Sequence, residues 1–73
     1  MIVYKIDILA ELKKKGYNSV ILREMRPFSQ SAMQNMRTGK YISFDNLDKV
    51  CELLELQPGD IIEYKKTNSQ KNF

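Results

Sequence analysis

The sequence predicts a mostly α fold assembled from short amphipathic helices, with room for a short β-pair at the chain ends. Three observations lead there. Apolar residues recur at three- and four-residue steps in separate short segments, the spacing of one face of a 3.6-residue helix. Capping residues, glycine and proline punctuate the chain between those segments. Seventy-three residues, 42% hydrophobic and 29% charged, suit one ordinary globular unit.

Residues 1–4 (Met-Ile-Val-Tyr) favour β structure and suit a small strand. From about Tyr4 to Lys15 the pattern turns helical. Ile6, Leu9 and Leu12 recur, Ile8 and Ala10 widen the stripe, and Asp7 falls in the first turn. Lys13, Lys14 and Lys15 complement the negative end of the helix dipole, and Gly16 ends the helix. Asn18 or Ser19 caps a second helix running to about Met25, with Val20, Ile21, Leu22 and Met25 as its apolar candidates. Pro27 stops it and biases Arg26 away from helical geometry.

Ser29 is the clearest N-cap in the chain, opening a third helix from Gln30 to Arg37. Phe28 and Met33 stand at the spacing of a hydrophobic staple across that cap. Met33 and Met36 mark the inner side, bordered by Ala32, and Gly39 closes the helix in a left-handed conformation. Ser43 caps a fourth helix whose stripe is Phe44, Leu47, Val50, Cys51 and Leu54, with Leu56 at its end. Pro58 suits the opening of one further turn with Ile61 and Ile62 packing back. The alternative for Ile61–Lys65 is a strand paired with residues 1–4, which would let Tyr4 and Tyr64 meet. Residues 1–66 are thus expected to form one domain, and 67–73 a disordered polar tail.

Composition excludes most chemistry. With one cysteine and no histidine, the chain offers no internal disulfide, thiolate–imidazole pair or zinc cluster. Cys51 reads as a small hydrophobe on the fourth-helix stripe, and Asp60 as a cap or turn residue. No nucleophile–base pair or glycine-rich phosphate loop is visible. No catalytic residue, metal, cofactor or small-molecule ligand is therefore expected. No apolar run approaches the roughly 20 residues that span a bilayer. Lys5 and Asp7 interrupt the first apolar stretch, so a cytoplasmic location away from membranes is expected.

Charge is segregated along the chain. Residues 1–41 carry eight Lys/Arg against three Asp/Glu, whereas residues 42–64 carry Lys49 against six acids. A basic part folded onto one face would attract a polyanion. The third helix is suited to read one. Its outward positions, Gln30, Ser31, Gln34 and Asn35, are hydrogen-bonding and carry no acid. Gln and Asn side chains pair bidentately with adenine in the major groove. Asn18, Ser19, Ser29, Arg37, Thr38, Lys40 and Tyr41 are candidates for phosphate contacts at the helix ends.

The stretch Leu22 to Lys40, with Phe28-Ser29-Gln30-Ser31-Ala32-Met33 and Met36-Arg37-Thr38-Gly39-Lys40, resembles the Cro/phage-repressor class of helix-turn-helix domains. The continuation through Ile42-Ser43-Phe44-Asp45-Asn46-Leu47 to Tyr64 looks like the compact bacterial regulators of that class. The resemblance covers about residues 4–64. It implies a five-helix bundle that binds duplex DNA as a transcriptional regulator of bacterial or phage type, often as a two-fold homodimer. It also assigns base reading to Gln30, Ser31, Gln34 and Asn35, and backbone contact to Ser29 and the end of the helix. One departure stands out: Arg26-Pro27 occupies a turn that usually contains glycine. Proline's fixed φ predicts that this turn is not the left-handed one glycine allows.

A competing reading keeps the fold but makes the chain a protein-interaction module, an antitoxin or adaptor, using the acidic fourth helix and residues 57–64. For a dimer, the termini or the residue 54–64 region are the expected interfaces.

Overall fold

A computed structural model describes residues 1–66 of the chain; the tail expected over 67–73 lies outside the described residues. The order is β1 (Ile2–Tyr4), α1 (Ile8–Lys14), α2 (Ser19–Met25), α3 (Gln30–Thr38), α4 (Phe44–Leu54), α5 (Pro58–Ile61) and β2 (Ile62–Tyr64). Both alternatives for the C-terminal segment are realised in succession: Pro58 opens a helical turn, and the chain then extends into β2. The strands pair antiparallel, Ile2 opposite Tyr64 and Tyr4 opposite Ile62. Tyr4 therefore does not face Tyr64 across the pair. Its hydroxyl donates instead to the Lys40 carbonyl at 2.6 Å, and partial burial raises its pKa.

Four helices begin in the same way. Asp7, Asn18, Ser29 and Ser43 are extended residues whose side-chain oxygens accept the N–H groups of Ala10, Ile21, Ala32 and Asn46, respectively. Each satisfies an N–H left without a partner in the first helical turn. Asp7 is thus the cap of α1 and not part of its first turn. The helix starts at Ile8 because Tyr4 is held in the strand and Lys5 N–H donates to Ile61 O at 2.8 Å. In α5 the Asp60 carboxylate accepts the Gln57 N–H at 3.0 Å, the cap role expected of it.

The helix ends also follow a common plan, with one exception. Gly16, Gly39 and Glu55 are left-handed, and the next N–H reaches back five residues: Tyr17 to Leu12 O, Lys40 to Asn35 O and Leu56 to Cys51 O. This is the closure of a Schellman motif. It ends α4 at Leu54 and leaves Leu56 beyond the helix. At α2 the left-handed residue is Arg26, with φ 50° and ψ 50°. Contrary to the sequence expectation, the α2–α3 turn is left-handed. Proline fixes its own φ but only disfavours helical conformations in its predecessor. Arg26 N–H donates to Leu22 O, but Pro27 has no N–H to make the next bond. The tertiary structure holds this costly conformation in place. Phe28 is buried, and Lys49 Nζ donates to the Pro27 carbonyl at 3.0 Å.

The core joins all five helices: Ile8, Leu12, Leu22, Phe28, Ala32, Met36, Leu47, Val50, Leu54 and Ile61. Ile8, Leu12, Val50 and Ile61 are almost wholly enclosed. No polar or charged residue is buried among the described residues. Cys51 packs half-buried against this core. Burial and the neighbouring Asp48 charge raise its thiol pKa, which suits an inert packing role. Three apolar expectations are corrected. Phe44 is 86% exposed, because α4 turns only Leu47, Val50 and Leu54 fully inward and its first residue projects past the core. Of the α2 candidates only Leu22 is buried; Val20 and Met25 are largely exposed. Met33 packs at the core's edge, and Ala32 lies inside with Met36.

Replacing Ile61 with Ala should lower unfolding stability by about 2–5 kcal/mol, read as a lower urea midpoint. Arg26→Gly should raise the thermal midpoint, since glycine removes a left-handed strain of about 1 kcal/mol. Arg26→Val should lower it.

Candidate nucleic-acid interface

α3 is held from behind by Ala32 and Met36 and presents its other side to solvent. Gln30, Ser31 and Gln34 are exposed, as the helical projection predicts. Gln30 and Ser31 make no side-chain hydrogen bond among the described residues. Gln34 Oε1 accepts from Arg37 Nη1 at 2.8 Å, so this amide keeps its NH₂ donors while its oxygen steadies the arginine. Asn35 is half-buried, and its Nδ2 donates to the Tyr41 carbonyl at 3.2 Å. It is the base-reading candidate most engaged in the fold, tying α3 to the loop that follows.

A broad depression runs along α3 and the α2–α3 turn. It brings together all four candidate base readers with Ser19, Ser29 and Arg37. Of the other candidates, Asn18 caps α2, and Thr38 Oγ1 donates to Gln34 O at 2.9 Å. Neither lines the depression, nor does Lys40. Tyr41 lies elsewhere, on the rim of an apolar pocket beside β1.

Four residues of the depression escaped sequence reasoning: Arg23, Arg26, Asn46 and Lys49. Ser19 and Arg23 are four residues apart, and Arg26 follows three later, so spacing along α2 carried a usable signal. Lys49 had none. It lies in the acidic stretch and reaches the depression through the packing of α4 and its bond to Pro27 O.

Arg23, Arg26, Arg37 and Lys49 give the depression four cations, and no Asp or Glu lines it. The basic half of the sequence does not gather there as a whole. Lys14 pairs with Glu11 at 3.2 Å, Lys15 with Glu55 at 3.0 Å, and Lys5 Nζ donates to Gly59 O at 3.0 Å. Three arginines and one lysine from the acidic half make the positive surface. It suits an anionic polymer, because it combines guanidinium and ammonium donors with hydrogen-bonding amides.

Comparison with known proteins identifies the family of the chain. The model of the Cro/C1-type HTH DNA-binding domain matches residues 7–67. A curated relative, the uncharacterized HTH-type transcriptional regulator YozG of Bacillus subtilis (strain 168), is 32% identical over 66 residues. The match covers 88% of this chain and 76% of YozG. No solved structure matches the chain. The left-handed turn between α2 and α3, the capped third helix and its acid-free outer face thus occur in a chain that belongs to the Cro/C1-type helix-turn-helix DNA-binding family.

Proposed function

We propose that the protein is a transcriptional regulator that binds duplex DNA sequence-specifically, with α3 lying in the major groove. The observation that carries this reading is the outer face of α3, where Gln30 and Ser31 are exposed and uncommitted within an acid-free, four-cation depression. Gln30, Ser31, Gln34 and Asn35 are the proposed base readers, with Gln30 and Ser31 the freest to move onto base edges. Ser19, Ser29 and Arg37, together with Arg23, Arg26 and Lys49, are the proposed phosphate contacts. Asn18, Thr38 and Lys40 would flank them, and this assignment does not depend on Tyr41.

Phosphate contacts supply affinity without sequence information, whereas base-edge contacts supply discrimination. A two-fold dimer would read paired half-sites about 34–36 Å apart. A regulator acting on a chromosome in this way would work in the cytoplasm of a bacterial host. No step of the reading calls for catalysis, a cofactor or a small-molecule ligand.

Selection from random duplexes at near-physiological salt should enrich a defined site. Arg37→Ala or Arg23→Ala should weaken binding to selected and random DNA alike. Each should also reduce the dependence of log K on log salt by about one. Gln30→Ala should instead lose about 1–3 kcal/mol of discrimination at one or two base pairs and leave random-DNA affinity unchanged. Equal losses from both kinds of variant would overturn the division of roles. A stoichiometric protein partner, combined with no enriched DNA site, would favour the adaptor or antitoxin reading.

A further inference from the structure

A second surface of the molecule is unlike the depression. Beside the sheet lies a pocket of about 310 Å³ whose lining contains no charged residue. Ile2, Val3, Tyr4 and Ile62 line it from the sheet, and Tyr41 and Phe44 line it from the α3–α4 linker and the start of α4. In an antiparallel pair, directly opposed residues share a face, so the β1–β2 register puts Ile2, Tyr4, Ile62 and Tyr64 on the same side of the sheet. Phe44 is 86% exposed, Tyr41 62%, Tyr64 59% and Ile2 40%.

We infer that this face is where a second copy of the chain docks, with Phe44 of each copy entering the pocket of the other. A two-fold interface uses the same patch on both partners and must be complementary to itself. This patch carries both halves of such a fit, a projecting aromatic side chain and an apolar recess beside it. The recess exceeds the roughly 150 Å³ cavity that accommodates benzene. At 150–250 Å² per aromatic side chain, the exposed groups offer on the order of 500 Å² per copy. Complete burial of these groups on both copies would reach about 1,000 Å², the lower bound for a specific interface. The absence of charge from the lining disfavours nucleic acid as the occupant. The inference deepens the DNA-binding reading, which calls for a two-fold reader, but its test needs no DNA.

Sedimentation at tens of micromolar should give the mass of a dimer for the full chain. Phe44→Glu should give a monomer with unchanged far-ultraviolet dichroism, because Phe44 supports no core contact. Phe44→Ala should weaken the dimer at least tenfold without introducing a charge, and serves if the glutamate variant fails to fold. Met25→Glu places a charge on an equally exposed apolar residue of α2 and should leave the dimer intact. A monomeric wild type overturns the proposal. So does a dimer that survives both Phe44 changes, or one that Met25→Glu also breaks. A monomer whose pocket takes up an apolar dye overturns it too, by assigning the recess to a small ligand. A Phe44-dependent dimer that enriches no DNA site would keep this interface and defeat only the DNA-binding reading.

Discussion

None of the helices is long enough to stand alone. They run from four to eleven residues, whereas isolated helices shorter than about 12–15 residues are marginal in water. Each therefore exists because it contributes an apolar side chain to one shared core, with Leu12, Val50 and Ile61 at its enclosed centre. Every other feature depends on that condition. α3 can devote its outer side to amides and hydroxyls because Ala32 and Met36 hold its inner side. Arg26 can occupy a left-handed conformation because Phe28 and Lys49 hold the turn beyond it.

The helix ends were legible in the sequence because they are local chemistry. An Asn or Ser side chain accepting an N–H three residues on depends on neighbours alone, and the start of α2, α3 and α4 fell where the sequence placed it. Asp7 was misread because its surroundings also fit a first helical turn; only pairing with a strand some sixty residues away decides where α1 starts. Phe44 was misread for a similar reason. It keeps the spacing of the α4 stripe, but spacing does not reveal where the core stops. Arg26-Pro27 shows the limit of reasoning from a residue type. The rule applied to Pro27 was correct, but the left-handed position is one residue earlier.

The candidate interface divides along the same line. Gln30, Ser31 and Gln34 could be assigned from one helix's projection. The cations around them could not, because segregation of charge along a chain is a poor guide to its distribution in space. Three lysines of the basic half are occupied by Glu11, Glu55 and the Gly59 carbonyl. The one lysine of the acidic stretch sits beside the α2–α3 turn. A charge count over a segment therefore does not say which of its cations share a face.

Two hydrogen bonds described above connect the molecule's two faces. Tyr4, in β1, holds the Lys40 carbonyl, and Asn35, in α3, holds the adjacent Tyr41 carbonyl. Successive peptide groups of one short linker are thus held by a phenol from the strand and by a carboxamide from the helix. Sheet and third helix consequently share a single mechanical joint. A tilt or slide of the strand therefore strains one of these bonds or moves the linker that leads out of the helix.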